Sequence, residues 1–240
     1  MALVTYSRLG INARRLYWDI ISHPNIQALW PMNEASGDIL DRCVRTRLTG
    51  VAQGSGGTYG ASLGNGFVGI SLAASRIFQL AAVGPLNFER TDAFSILCVL
   101  NPNITTAGEI LSTFSTTGII YEITALRIVL ASLYGGAANE LRRDSDVALT
   151  NGTTYMLGMT YDGLSAVAGM ILYRNGAVDA STAISNTLTN SITSGDTLLK
   201  IGARPDNTNL LNATLGFLAV FNAVLTANEI LRYARLGGFA

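Results

Sequence analysis

The chain has 240 residues, of which 49% are hydrophobic and 13% charged, and its 16 basic and 16 acidic side chains give a formal net charge of zero at pH 7. A chain of this length can form one large domain whose core needs neither a metal nor a disulfide. The balanced charge argues against a nucleic-acid partner, and the lack of an 18-residue apolar run argues against a membrane span. The high apolar content favours surface buried between copies of the chain.

The first two dozen residues differ from the rest and predict an arm or short helix. Its apolar residues fall near one helical face: Leu16, Tyr17, Ile20 and Ile21. Pro24 ends the helix, because the residue before a proline is pushed out of the α region. Such a short helix is not stable alone in water. We therefore assign residues 1–24 to an arm and 25–240 to the main domain, and expect the arm to pack on a neighbouring copy.

Strand patterns separated by turn signals follow, without the intervening helices that a parallel sheet requires. Residues 94–100 form an apolar run closed by Asn101-Pro102, which is typical of a strand covered on both faces. Residues 155–161 alternate in size and stop at Asp162-Gly163, and Asn175-Gly176 is a strong hairpin signal. A later strand is predicted to place four residues on one face: Leu215, Phe217, Ala219 and Phe221.

One helix is predicted near the end of the chain. Residues 226–229 form a capping box, in which the Thr226 hydroxyl accepts from the Glu229 amide and the Glu229 carboxylate accepts from the Thr226 amide. Apolar residues follow at helical spacing, and Gly237-Gly238 provides the stop. The sequence therefore predicts a short C-terminal helix after the last strand.

Five motifs occur in a fixed order from about residue 26 to the end of the chain. They are LWPMNEASG at 29–37 with Asp41 after it, TDAFSI at 91–96, TYDG and LYRNG at 160–163 and 172–176, GFLAVFN at 216–222, and LTANEI at 225–230. In this order they resemble the laminin-G-like domains of the concanavalin A-like lectin and glucanase superfamily. The paired motifs at 160–163 and 172–176 match the central hairpin of that family.

The resemblance implies an all-β fold, an antiparallel jelly-roll sandwich of the concanavalin A-like type with an N-terminal arm and a short C-terminal helix. In that family the last strand frequently carries an acidic residue. Leu218 and Ala219 stand in its place in this chain, so we expect no metal site. Together with the alternating pattern of the strands, the resemblance predicts eight buried side chains: Trp30, Phe94, Ile96, Leu157, Tyr161, Leu172, Phe217 and Phe221. Cys43 and Cys98 are predicted to be free thiols, since two cysteines are too few for a disulfide framework.

Three patterns suggest catalysis, but each lacks a required part. Residues 60–64 match the G-x-S-x-G elbow, which needs a histidine after the serine, whereas the single histidine, His23, precedes it. Residues 64–69 match G-x-G-x-x-G without the strand and helix that a phosphate site requires. A glycosidase needs two carboxylates on one face. The acidic candidates are expected to be isolated loop or strand-edge residues: Glu109, Glu122 and Glu140. We therefore expect no enzymatic activity and no cofactor.

Two non-enzymatic functions remain open. The first is a virion structural or assembly protein, such as a phage capsid-decoration, fibre or tail module, because laminin-G-like domains are frequent in such proteins. Its partners would be copies of itself in a homo-oligomer and other virion proteins. The alternative is a glycan- or receptor-binding lectin-like adhesion module, located outside the cell or at the cell surface. A sugar site combines an aromatic face with amides or carboxylates, and the best such cluster, in a predicted loop region, is Tyr134, Asn139, Arg142 and Asp144.

Overall fold

The computed structural model describes residues 9–43, 46–73, 75–80, 84–193 and 198–240. The helices are α1 (Ile11–Ile21) and α2 (Ala227–Gly237). The strands are β1 (Ile26–Trp30), β2 (Ile39–Leu40), β3 (Thr49–Gln53), β4 (Thr58–Gly64), β5 (Phe67–Ser71), β6 (Ile77–Leu80), β7 (Phe94–Pro102), β8 (Gly108–Ser112), β9 (Gly118–Ile123), β10 (Val129–Tyr134), β11 (Glu140–Ser145), β12 (Tyr155–Tyr161), β13 (Met170–Arg174), β14 (Ala177–Val178), β15 (Ser181–Asn186), β16 (Leu199–Ile201) and β17 (Ala213–Phe221).

The strands form two antiparallel sheets. Within the described residues, sheet A has the order β14-β13-β12-β7-β17-β5-β4, with β1 also pairing β17. Sheet B has the order β15-β11-β10-β9-β8-β16-β6-β3-β2. Side chains from both sheets form one apolar core, in which Ile96 and Leu157 of sheet A share a cluster with Tyr121 and Leu133 of sheet B. The predicted antiparallel sandwich is confirmed, and it follows from strands whose alternate residues can be buried.

All eight side chains predicted to be buried are buried, with at most 1% of their surface exposed. Phe217 and Phe221, however, do not lie between the sheets. They belong to a second apolar cluster, which forms between the outer face of sheet A and the two helices. The molecule therefore has three layers: the helices, sheet A and sheet B.

A β-bulge in β17 corrects the predicted pattern of this strand. The pairing with β7 shifts between Leu215 and Phe217, so that Leu215 joins the core between the sheets while Phe217, Ala219 and Phe221 face the helices. Gly216 sits at the shift. A bulge adds one residue to one strand and reverses the faces beyond it, so the four residues predicted to share one face do not.

The N-terminal helix packs on its own sheet. The buried face of α1 comprises Ala13, Leu16, Tyr17 and Ile20. The Tyr17 hydroxyl donates to the Gly216 carbonyl at 3.0 Å, and its ring meets Phe67 and Phe217 edge to face. The expectation that a neighbouring copy covers this face is therefore not met, because sheet A and α2 cover it.

The C-terminal helix has the predicted capping box and stop. The Glu229 amide donates to the Thr226 hydroxyl at 3.2 Å, the Thr226 amide donates to the Glu229 carboxylate at 2.8 Å, and Gly238 ends the helix in the left-handed conformation. Among the described residues, no helix is long and apolar enough to cross a bilayer. Cys43 and Cys98 are buried free thiols.

Candidate binding site on the outer face of sheet B

The outer face of sheet B, which points away from sheet A, carries a row of polar side chains. In β9 and β10 the odd-numbered residues face the core, as Tyr121 and Leu133 do. Because side chains alternate along a strand, the even-numbered residues point outward. The pairing register then places Asp144, Leu130, Glu122 and Glu109 in one row across four neighbouring strands.

Glu109 and Glu122 form an acidic pair at the centre of this face. They are directly opposite each other on β8 and β9, and such residues have Cβ atoms only about 5 Å apart. Burial raises the pKa of both carboxyl groups, and the neighbouring Glu109 raises that of Glu122 further. The expectation that these residues are isolated is wrong. A bulge between Glu109 and Leu111 sets this register, and the sequence pattern carries no sign of it.

The connection between β16 and β17, residues 202–212, covers the acidic pair. Arg204 donates from Nε to Glu109 Oε1 at 2.7 Å, and the Glu109 amide donates to the Asn209 carbonyl at 2.9 Å. Lys200 is also buried on this face and donates from Nζ to Asn207. Glu109 has no exposed surface, although its Oε2 has no hydrogen-bond partner within the described structure. The acidic pair is thus a closed, structural part of the face.

The part of the face over β11 is partly exposed, and the exposure extends to Tyr134 at the end of β10, whereas Leu130 and Ser132 of β10 are buried. Arg142 and Asp144 form a bidentate ion pair, in which Arg142 Nε donates to Asp144 Oδ1 at 2.8 Å and Nη2 donates to Oδ2 at 2.7 Å. Their side chains are 33% and 19% exposed, so solvent reaches both. Hydrogen bonding to Asp144 raises the pKa of Arg142, which keeps the guanidinium charged. Ser132 donates to Glu140 at 2.7 Å in the adjacent rows.

Aromatic rings border this open part. Tyr134 is the last residue of β10, and its ring meets Phe114 edge to face with the centroids 5.1 Å apart. The Arg204 guanidinium lies over the other ring, 4.9 Å from the Phe114 centroid. Both rings are half-buried. Tyr134, Glu140, Arg142 and Asp144, all partly exposed, are called the open patch below.

Asn139 has a different role from the other predicted site residues. Its Oδ1 accepts from the amides of Thr189 and Asn190 at 3.1 and 3.0 Å. Its Nδ2 donates to the Thr187 carbonyl and the Thr189 hydroxyl. An asparagine side chain has two donors and two acceptor sites, so this amide is saturated. It ties the β10–β11 turn to the segment after β15 and has nothing left for a ligand.

The catalytic patterns fall in places that cannot support their chemistry. Residues 60–64 lie within β4, so Ser62 is on a strand and not on a strand-to-helix elbow. Residues 64–69 run from the end of β4 through the turn at 65–66 into β5, so a strand and not a helix follows the turn. Within the described ranges, no group of three or more His, Cys, Asp or Glu side chains converges as a metal site would require.

The layers and register described above define a β-sandwich of the concanavalin A-like type. The chain belongs to the concanavalin A-like lectin/glucanases superfamily, because a laminin-G family model of that description matches residues 78–231. Among curated proteins, none matches this chain.

Several solved structures share the fold. The binding domain of botulinum neurotoxin DC in complex with rat synaptotagmin II has a TM-score of 0.66 at 10% identity, over 90% of this chain and 52% of that one. A structure of botulinum neurotoxin type C, whose cell entry depends on interaction with two ganglioside molecules, has a TM-score of 0.66 at 11% identity, over 92% of this chain and 53% of that one. The binding domain of Paraclostridial Mosquitocidal Protein 1 has a TM-score of 0.64 at 12% identity, over 88% and 52%. This chain therefore spans about half the length of these structures, and at such identities the likeness concerns the fold alone.

Proposed function

We propose that the protein is a lectin-like module that binds glycans through the open patch. The observation that carries this proposal is the grouping of a charged hydrogen-bonding pair with an aromatic ring on an exposed sheet face. The Arg142–Asp144 pair is partly exposed and fixed in a fork geometry, and Tyr134 lies on the same face two residues along β10 from Ser132, which is opposite Arg142. A module of this kind acts outside the cell or at a cell surface.

The chemistry of the open patch suits sugar hydroxyl groups. Asp144 and Glu140 have carboxylate oxygens that accept hydrogen bonds from hydroxyls, and Arg142 uses only two of its five N–H donors in the ion pair. The Tyr134 ring offers an apolar surface of the kind that packs against the C–H groups of a sugar ring. Two carboxylates against one guanidinium leave the patch slightly negative, which favours neutral over acidic sugars.

The comparisons support a binding module better than a virion role. Among the similar structures, one is a neurotoxin binding domain in complex with synaptotagmin II, and another concerns a neurotoxin whose cell entry depends on interaction with two ganglioside molecules. Assembly with virion proteins or with copies of itself, which the composition suggested, has no specific observation behind it. Hydrolysis of a glycan is not proposed, because the acidic pair is covered by residues 202–212 and a substrate cannot reach Glu109.

A glycan array followed by titration of the best neutral oligosaccharide tests the proposal. Asp144→Asn and Tyr134→Ala should each weaken binding by roughly tenfold, the loss expected for one charge-assisted hydrogen bond or one aromatic contact. Asp38→Asn is the matched control, because Asp38 is exposed beside β2 at the other end of sheet B, where its carboxylate accepts from the Ala52 amide. Unchanged affinity in both patch variants would remove this surface as the site.

A further inference from the structure

A groove with a volume of about 480 Å³ lies between α1 and α2, in the helix layer and so on the opposite side of the molecule from the open patch. Helix α1 contributes Asn12 and Arg15, and α2 contributes Asn228, Arg232 and Arg235, together with two leucines. Residues three and four apart on a helix share a face. The α2 residues therefore form one continuous polar edge, opposite the α1 pair.

The charges in this groove are only partly compensated. Arg232 is paired with Asp19, with Nη2 and Oδ2 2.6 Å apart, and its guanidinium packs over the Tyr233 ring at 5.6 Å. Arg15 and Arg235 are both exposed. Neither takes part in an ion pair within the part of the chain that the structure describes. Two positive charges thus face one cavity in a chain whose formal net charge is zero.

We infer that this helix groove binds a phosphate-bearing anion. A phosphate monoester carries a charge of about −1.5 to −2 at pH 7 and three terminal acceptor oxygens, which matches the two uncompensated charges of Arg15 and Arg235. A guanidinium binds phosphate through two parallel hydrogen bonds. The Asn12 and Asn228 amides supply further donors, and the leucines contact the organic part of an ester.

A carboxylate ligand fits the groove less well. It brings one charge and two acceptor oxygens, so one of the two guanidinium groups would remain uncompensated. The volume of the groove lies within the range of about 300–1,000 Å³ that is usual for small-molecule sites. Phosphate esters occur both as free metabolites and as lipid headgroups, and the chemistry of the groove is the same for both.

The test uses the full chain and three probes. Phenyl phosphate and inorganic pyrophosphate are titrated by calorimetry, and phosphatidylcholine vesicles containing phosphatidic acid are used in sedimentation. The wild type should bind at least one of these phosphate probes. Arg15→Gln and Arg235→Gln should each weaken that binding by roughly tenfold, and the double variant should bind below detection. Binding of phenyl phosphate identifies a free phosphate ester, binding of pyrophosphate alone identifies a free inorganic phosphate, and binding of vesicles alone identifies a lipid headgroup.

Arg47→Gln is the matched control, since Arg47 is exposed, outside the groove, and loses the same charge. Thermal unfolding and circular dichroism of each variant should match the wild type, because both groove arginines are at the surface. The inference is overturned if no phosphate probe binds, if Arg47→Gln weakens binding as much as the groove variants do, or if polyglutamate binds as tightly as phosphate. Glycan binding through the open patch should be unaffected in all of these variants, so the two proposals can fail separately.

Discussion

The two outer faces of this sandwich are covered in opposite ways. Over sheet A, two helices bury aromatic rings in an apolar cluster, with Tyr17 packed edge to face on Phe217. Over sheet B, residues 202–212 cover charged groups, with Arg204 paired to the buried Glu109. Burial of apolar area stabilises a fold directly, whereas a buried ion pair must first offset the loss of hydration. The cover on sheet A is therefore expected to stabilise the fold, and that on sheet B to restrict which groups a ligand can reach.

The largest difference between the two faces should appear on removing an aromatic ring from each. Phe217→Ala should lower the free energy of unfolding by about 3–5 kcal/mol, because it leaves a cavity in the cluster beneath the helices. Phe114→Ala, the same change on the half-buried ring over sheet B, should cost about 1–2 kcal/mol. Urea unfolding measures both. Equal losses in the two variants would contradict the expectation that the helices over sheet A stabilise the fold more than residues 202–212 over sheet B do.

The next largest effect is a pH dependence of stability, which has opposite signs for a carboxyl group on each of the two faces. Burial raises the pKa of Glu109 above its ordinary value of 4.5, so the folded state holds this proton more tightly than the unfolded state does. The contribution of protonated Glu109 to the free energy of unfolding is then fully present below about pH 4.5, and it is lost as the pH rises through the raised pKa. Measured against Glu109→Gln, the wild type should lose stability over this interval.

Glu229 in the helix layer provides the opposite case. Burial acts to raise the pKa of its carboxyl group, but hydrogen bonds from Thr226 and the contact with His23 outweigh it, and the pKa is lowered below 4.5. Measured against Glu229→Gln, the wild type should gain stability as the pH rises toward 4.5. Urea titrations between pH 3 and 7 would show both slopes, and slopes of the same sign would contradict one of the two assignments.

A smaller effect is expected from the hydroxyl that connects α1 to sheet A. Tyr17→Phe removes the hydrogen bonds to the Gly216 and Pro31 carbonyls while the ring stays in place. The loss should be about 1 kcal/mol, typical of a buried neutral hydrogen bond. Thermal unfolding measures it, with Tyr134→Phe as the control on a half-buried ring. A Tyr17→Phe variant as stable as the wild type would mean that packing alone holds the helix.

The smallest effect on stability should come from the open patch. Arg142→Gln breaks an ion pair that solvent reaches on both sides, and exposed pairs contribute less than about 1 kcal/mol. The same variant should weaken glycan binding clearly. A large loss of stability in urea unfolding would instead assign the Arg142–Asp144 pair to the structure of the sheet.

The sequence allowed the fold to be predicted because its strongest signals are local. The hairpin at Asn175-Gly176 and the capping box at Thr226 depend on residues close together in the chain, and the structure confirms both. The eight buried side chains, predicted from the strand alternation and the order of the family motifs, are confirmed as well. The face of Leu215 was predicted wrongly, because a bulge changes the register without a distinctive residue pattern.

The candidate site was less predictable, because its contacts are distant in sequence. Tyr134, Arg142 and Asp144 were identified because they stand close together in the sequence, in a predicted loop, whereas the structure places them on the β10–β11 hairpin. Glu109 pairs with Arg204, which is 95 residues further along the chain. The Arg204 guanidinium also lies over the ring of Phe114, which is on a different segment again. The only local signal was a charged residue, Glu122, inside an otherwise apolar strand, which in a sandwich favours a position on the outer face.

The loop at 202–212 has a consequence for how such a protein can diversify. Both of its ends are fixed in strands of different sheets, β16 and β17. Its middle contacts charged groups and the Phe114 ring on sheet B, while Ala203 and Leu211 near its ends are buried, Leu211 in the core between the sheets. Insertions and deletions between these two residues leave the buried ends in place, as is usual for surface connections. A shorter version would uncover Glu109 and Glu122 and give the same scaffold an acidic recess, and a longer one would extend over Arg142. Changes of length in this one connection are thus a route by which descendants of a common ancestor acquire different binding chemistry at little cost to folding.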